Sequence, residues 1–212
     1  MKRAMTAYVV IAGLAAAVAS SSLARTPAEA GAYVAPPLGS TWTEVRHDTG
    51  SYGAGSIVTT YRSMERKGGE ENGRALVTLR GTTLVNSKGE ALALVSQRGK
   101  TIVNWDPPIG LSFPLVVGKR WSRPYKVTML GGRKTFAMDT TWKVEAFEDV
   151  TVPAGTFRTF KVSYSDSVGN ENTYWFAPEL GIYVKQELRR TSKFEDGAGT
   201  REIELISQTI SR

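Results

Sequence analysis

From Thr135 to Ala146 the chain alternates in chemistry with a period of two. Phe136, Met138, Thr140, Trp142, Val144 and Ala146 share one face; Ala137, Asp139, Thr141, Lys143 and Glu145 share the other. Successive side chains of an extended strand point to opposite sides, so this stretch reads as a strand with one face buried. Phe160, Val162 and Tyr164 repeat the pattern against Lys161 and Ser163, and Ile182, Val184 and Leu188 repeat it against Lys185 and Glu187. From Thr41 onward, runs rich in Val, Ile, Thr and aromatics alternate with turn signals, and no segment carries a helical period.

Lys67 to Gly73, Asn86 to Gly89, Gly131 with Gly132, Gly169 with Asn170, and Asp196 to Gly199 each lie between two such runs. Gly and Asn tolerate the positive φ angles of tight reversals, so neighbouring strands are expected to be antiparallel. Roughly eight to eleven strands joined this way make one strongly curved sheet, a barrel or a sandwich, because large flat open sheets are uncommon. A short echo runs through the chain: Pro37, Leu38, Gly39 and Trp42 resemble Pro114, Leu115, Gly118 and Trp121, each ahead of a strand run.

The N-terminus has the layout of a secretory signal peptide. Lys2 and Arg3 precede an apolar run from Thr6 to Ala19, followed by small residues that fit cleavage after Ala24 or after Ala30. The run is shorter than the roughly 20 residues that cross a bilayer core. The expected organisation is a signal peptide over 1–30, a flexible lead-in over 31–39 and one β domain over 40–212, in the periplasm or secreted, with no membrane anchor after cleavage. With 41% hydrophobic and 22% charged residues, the chain has enough apolar content to bury a core. It has no cysteine, which excludes disulfides, a lipidated N-terminal cysteine, a thiol nucleophile and thiolate metal sites. The net charge of +7 is spread along the chain, which suits a solvated surface or an anionic envelope polymer and points to no nucleic acid.

Motifs for chemistry are sparse. His47 is the only histidine, so no site built on two histidines exists, and no Gly-x-Ser-x-Gly turn offers a serine nucleophile. Asp139 and Glu145 share a strand face as a carboxylate pair would, but alternate with Lys143 as a solvated face does. The Gly50–Gly55 stretch lacks the Gly-Lys-Ser or Gly-Lys-Thr of a phosphate loop. No catalytic residue, metal ligand or cofactor is assigned.

Val152, Pro153, Ala154, Gly155, Thr156 and Phe157, together with Tyr174, Trp175, Phe176, Ala177, Pro178, Glu179, Leu180, Gly181 and Ile182, resemble a signature of a large group of uncharacterised exported bacterial all-β proteins. Members of that group are similar to the half-barrels of periplasmic lipoprotein carriers. The resemblance implies a half-barrel or β-roll with a concave apolar face, a sandwich being the alternative. No residue here maps onto a carrier's ligand site, and no helical segment is present to plug a half-barrel.

Three functions follow in order. The first is non-catalytic binding of a hydrophobic or amphiphilic envelope molecule, such as a lipid, in the curved sheet. Its candidate lining is Phe136, Met138, Trp142, Val144, Phe160, Val162 and Tyr164, residues that would equally make a filled core. The second is a structural or interaction protein that meets an envelope protein or polysaccharide through a strand edge or the basic surface. The third is an envelope hydrolase.

Overall fold

The computed structural model describes residues 28–66, 73–129 and 133–210. Every regular element among them is a strand. β1 (Glu29–Ala30) is followed by β2 (Thr41–Gly50), β3 (Gly55–Glu65), β4 (Arg74–Thr78), β5 (Gly81–Val85), β6 (Ala91–Ser96) and β7 (Thr101–Ile109). Then come β8 (Leu115–Val116), β9 (Arg120–Met129), β10 (Lys134–Val152), β11 (Gly155–Asp166), β12 (Asn170–Ala177), β13 (Ile182–Arg190) and β14 (Gly199–Gln208). β1 and β8 pair with each other as a short ribbon. The remaining strands form one closed ring, each paired antiparallel with its neighbour; β7 meets β9 directly, and β14 returns to β2 with Gly199 opposite Gly50 and Gln208 opposite Trp42.

The sheet is therefore a closed twelve-stranded antiparallel barrel, which corrects the expectation of a half-barrel or β-roll and the sandwich alternative; the all-β class holds. Alternation fixes which face of each strand is buried and is silent on whether the last strand meets the first. As edges, β2 and β14 would each present a row of unpaired backbone groups, and closure satisfies both rows. The turns at Asn86–Gly89, Gly169–Asn170 and Asp196–Gly199 join consecutive strands. Those at residues 67–72 and at Gly131–Gly132 lie outside the described residues, as do residues 1–27 of the signal-peptide reading. Cleavage after Ala24 would leave the β1–β8 ribbon whole, whereas cleavage after Ala30 would remove β1.

Register carries the facing of side chains around the ring. Trp42, Glu44, Arg46 and Asp48 of β2 point inward, with Tyr61 of β3, Leu76 of β4, Thr83 and Val85 of β5, Trp121 and Tyr125 of β9, and Trp142 of β10. Thr43, Thr60, Lys143, Lys161, Lys185 and Glu187 point outward. An apolar interior under a polar exterior is the reverse of a barrel built to sit in lipid. Trp175 also faces outward, beneath the ammonium groups of Lys161 and Lys185, and its indole N–H donates to Glu148 Oε1 at 2.9 Å.

The sequence echo is also a structural one. Gly39 and Gly118, with φ of 85° and 91°, open the first strand of each six-strand half of the barrel. The Gly39 N–H donates to Ser63 O (2.8 Å) and the Ser63 N–H to Ser40 O (2.9 Å); the Gly118 N–H donates to Val144 O (2.8 Å) and the Val144 N–H to Lys119 O (2.9 Å). Trp42 then stacks on Tyr61 with centroids 5.4 Å apart, and Trp121 stacks on Trp142 at 5.5 Å.

Candidate functional site

The two sides of the barrel interior are filled differently. On β9 to β12 large side chains pack into continuous clusters: Trp142, Val144, Phe160, Val162, Tyr164 and Phe176 in one, Tyr125, Val127 and Met138 in the other with Phe136 against it. All seven residues singled out from the sequence as a candidate lining fall in these clusters on the inward face. On β3 to β6 the inward side chains are shorter, and a cavity of about 200 Å³ remains among Trp42, Glu44, Tyr61, Leu76, Thr83, Val85, Ala91, Phe176, Ile182, Tyr183 and Gln186. None of the seven lines it. They build the packed wall, while the hollow lies between the rings of Trp42, Tyr61, Phe176 and Tyr183 and the shorter side chains of Leu76, Thr83, Val85 and Ala91.

One end of the cavity is closed by segments outside the ring. Tyr33 packs on Phe113 and Phe176, with ring centroids 6.1 and 6.4 Å apart, and Leu111 and Leu115 are buried beside them. Residues 31–39 run over this end; the Ser63 hydroxyl donates to the carbonyl of Pro36, which is fully buried. The strap is held by a glycine: a Cβ on Gly89 would lie 2.7 Å from the Tyr33 ring, at a φ of +76°. Gly89→Ala is therefore expected to push Tyr33 off its seat and to cost about 1–2 kcal/mol in urea unfolding from the left-handed backbone alone. Wild-type stability in this variant would show that Tyr33 is not seated there.

Among the described residues a single acidic side chain stands in the cavity wall. Glu44 is 7% exposed, and burial pushes its carboxyl up to about 8, partly opposed by a hydrogen bond from the Trp42 indole. At neutral pH it is largely the protonated acid, one hydrogen-bond donor in a mostly apolar hollow. Burial and the nearby Glu44 also push the Tyr61 hydroxyl up. Sequence reading missed Glu44 because it sits in an ordinary alternation, Trp42-Thr43-Glu44-Val45. The available signal was its phase: it shares a face with Trp42.

The other residues weighed for chemistry are dispersed. His47 is exposed on the outer face, its Nδ1 2.7 Å from Ser56 Oγ. Asp139 is exposed, while Glu145 pairs with Lys143 and accepts from the Ser163 hydroxyl at 2.7 Å, contacts that hold it below the usual carboxylate range. Among the described residues, no group of three or more His, Asp or Glu is placed to hold a metal ion. Larger hollows of about 380 and 440 Å³ are lined mainly by polar residues, among them Glu171, Arg189 and Glu202 for the first and Ser87, Lys88 and Glu90 for the second. The smaller cavity is the one with apolar walls.

Residues 126–192, from within β9 to just past β13, match the DUF3108-like family. No curated protein matches the chain. Among solved structures it is similar to a Bacteroides fragilis NCTC 9343 protein named as exported and of YmcC-like fold: 15% identity, TM-score 0.45, 85% of this chain and 100% of that one. It is also similar to a Parabacteroides distasonis ATCC 8503 protein named as a lipoprotein, at 14% identity and TM-score 0.41 over 84% and 99% of the two chains. The hypothetical lipoprotein YmcC of Escherichia coli K12 is similar at 9% identity and TM-score 0.44, over 78% of this chain and 84% of that one.

Proposed function

We propose that this is an exported envelope protein that binds a hydrophobic or amphiphilic molecule, without catalysis, inside its barrel. Export rests on Lys2, Arg3 and the apolar run that follows them. Binding rests on one observation: an apolar cavity strapped shut at one end with the buried Glu44 carboxyl in its wall. A filled core has no use for such a hollow, since empty volume forfeits packing. Each methylene of a guest chain moved into it from water contributes about 0.8 kcal/mol, and the Glu44 hydroxyl can donate to an ester, amide or hydroxyl oxygen of the guest. Each barrel strand has a neighbour on both sides, although β3 meets β4 only from Arg62 to Glu65 and its Gly55–Tyr61 stretch is paired on the β2 side alone.

Native mass spectrometry of protein purified from an exporting host, with organic extraction of bound material, tests this. A reproducible lipid-like adduct is expected, and Leu76→Trp, which places an indole in the cavity, is expected to lose it while keeping the barrel's circular dichroism. A clean apo mass, under conditions that preserve the cargo of a known lipid carrier, overturns the proposal.

A further inference from the structure

The inward face of β2 changes character along its length. Trp42 and Glu44 line the apolar cavity, and Arg46 and Asp48 follow on the same face, each step of two residues being about 7 Å. Cross-strand register extends the change sideways. Gln186, Ile203 and Arg46 form one row across β13, β14 and β2, and Leu188, Arg201 and Asp48 form the next. Gln186 belongs to the cavity wall, so Arg46 lies in the row that borders it.

The charges in these rows do not balance. Asp48 accepts from Arg201 twice, Nε to Oδ1 at 2.7 Å and Nη2 to Oδ2 at 3.0 Å, and those bonds hold its carboxyl below the usual range. Arg46 Nε lies 3.1 Å from the same Oδ2 without the alignment of a hydrogen bond, and this buried nitrogen has no hydrogen-bond partner. One carboxylate is thus shared by two guanidinium groups. Arg190 adds a third at the same end, stacked between Tyr52 and Phe194 at 4.0 and 4.1 Å, with Nη1 donating to Ser51 O and its Nε also unpartnered. Asp166 is already taken up by its own hairpin, accepting from the Tyr164 hydroxyl, the Val168 and Asn170 amides and the Asn170 side chain, and Glu195, next to Phe194, pairs with Lys134.

Arg46 therefore brings a planar set of donors, 28% exposed as a side chain, to the border of an apolar cavity, and they have no aligned acceptor among the described residues. We infer that Arg46, with the outer edge of Arg201, is the seat for an anionic group, phosphate or carboxylate. The preferred guest of the barrel is then an anionic amphiphile whose chain lies toward Tyr33 and whose charged head lies toward Asp48. This rests on the binding reading above and narrows it to a ligand class.

Isothermal titration of the purified protein with octyl phosphate, octan-1-ol and inorganic phosphate separates the parts. Octyl phosphate is expected to bind at least about tenfold more tightly than octan-1-ol. Arg46→Met is expected to erase that difference and leave octan-1-ol unchanged, which also reports that the barrel is intact; Asp48 keeps its Arg201 partner in this variant. Equal affinities for octyl phosphate and octan-1-ol in the wild type overturn the anion seat and leave cavity binding standing. Binding of inorganic phosphate as tight as octyl phosphate, with none of octan-1-ol, keeps the anion seat and overturns the amphiphile. Binding of none of the three overturns both.

Discussion

The Trp142→Ala protein is expected to be less stable than the wild type by about 3–5 kcal/mol, the usual cost of truncating a buried aromatic. Trp142 is 3% exposed and stands where four rings meet: Trp121 stacks on it at 5.5 Å, Tyr174 at 5.8 Å, and Tyr164 meets it edge-on at 4.5 Å. Its indole N–H donates to the Thr140 hydroxyl at 3.0 Å, which in turn donates to the Arg123 carbonyl at 3.0 Å. Truncation thus removes apolar contact on three sides and strips a buried hydroxyl of its donor. In a chain of this length the loss corresponds to a fall of roughly 6–20 °C in Tm. Unchanged thermal stability would mean that Trp142 is not in the packed wall, and the assignment of the even-numbered face of β10 to the interior would fail with it.

That face is legible in the amino-acid sequence, because a strict period of two admits one reading. The turns are legible for a similar reason, since Gly and Asn at short intervals between apolar runs mark reversals. Closure is not. The strands that join, β14 and β2, are separated by most of the chain, and Trp42-Thr43-Glu44 opposite Leu205 to Gln208 has nothing in its own composition that names its partner. The cavity is hidden for a related reason. A ligand wall sought among the largest apolar residues leads to Phe160, Val162 and Trp142, which fill space; a hollow forms where the inward residues are short, at Thr83, Val85 and Ala91. Polar residues on an inward face are the better signal. Glu44, Arg46 and Asp48 follow Trp42 at intervals of two, and that run of charge in the buried phase of a strand sets β2 apart from Phe136 to Val144 on β10.

Glu44→Gln is expected to change the pH dependence of stability more than any other single substitution. The folded-state carboxyl titrates at about 8 against 4.5 for the free side chain, because burial disfavours its charged form. Below pH 4.5 the group is protonated whether the chain is folded or not, and it contributes nothing to the difference. As pH rises from there through 8, the unfolded chain gives up its proton while the folded one holds it. The native state therefore loses stability across that window, up to about 5 kcal/mol from a shift of this size. Gln keeps the shape and cannot ionise, so the variant should match the wild type near pH 4.5 and exceed it at pH 9, with urea midpoints diverging steadily in between. Other groups face Glu44: Tyr61 across β3, the Trp42 indole, and Arg46 one step along β2, whose Nε lies 3.1 Å from Asp48 Oδ2. They remain in both proteins, so the difference between the two curves isolates the carboxyl. Parallel curves from pH 5 to 9 would place Glu44 in water, and the cavity would then be a wet groove. Diverging curves make it a dry one with a proton in its wall, and raising the pH would put a negative charge beside the guest chain. The same titration that weakens the fold should then weaken retention of an octyl chain, most of all above pH 8.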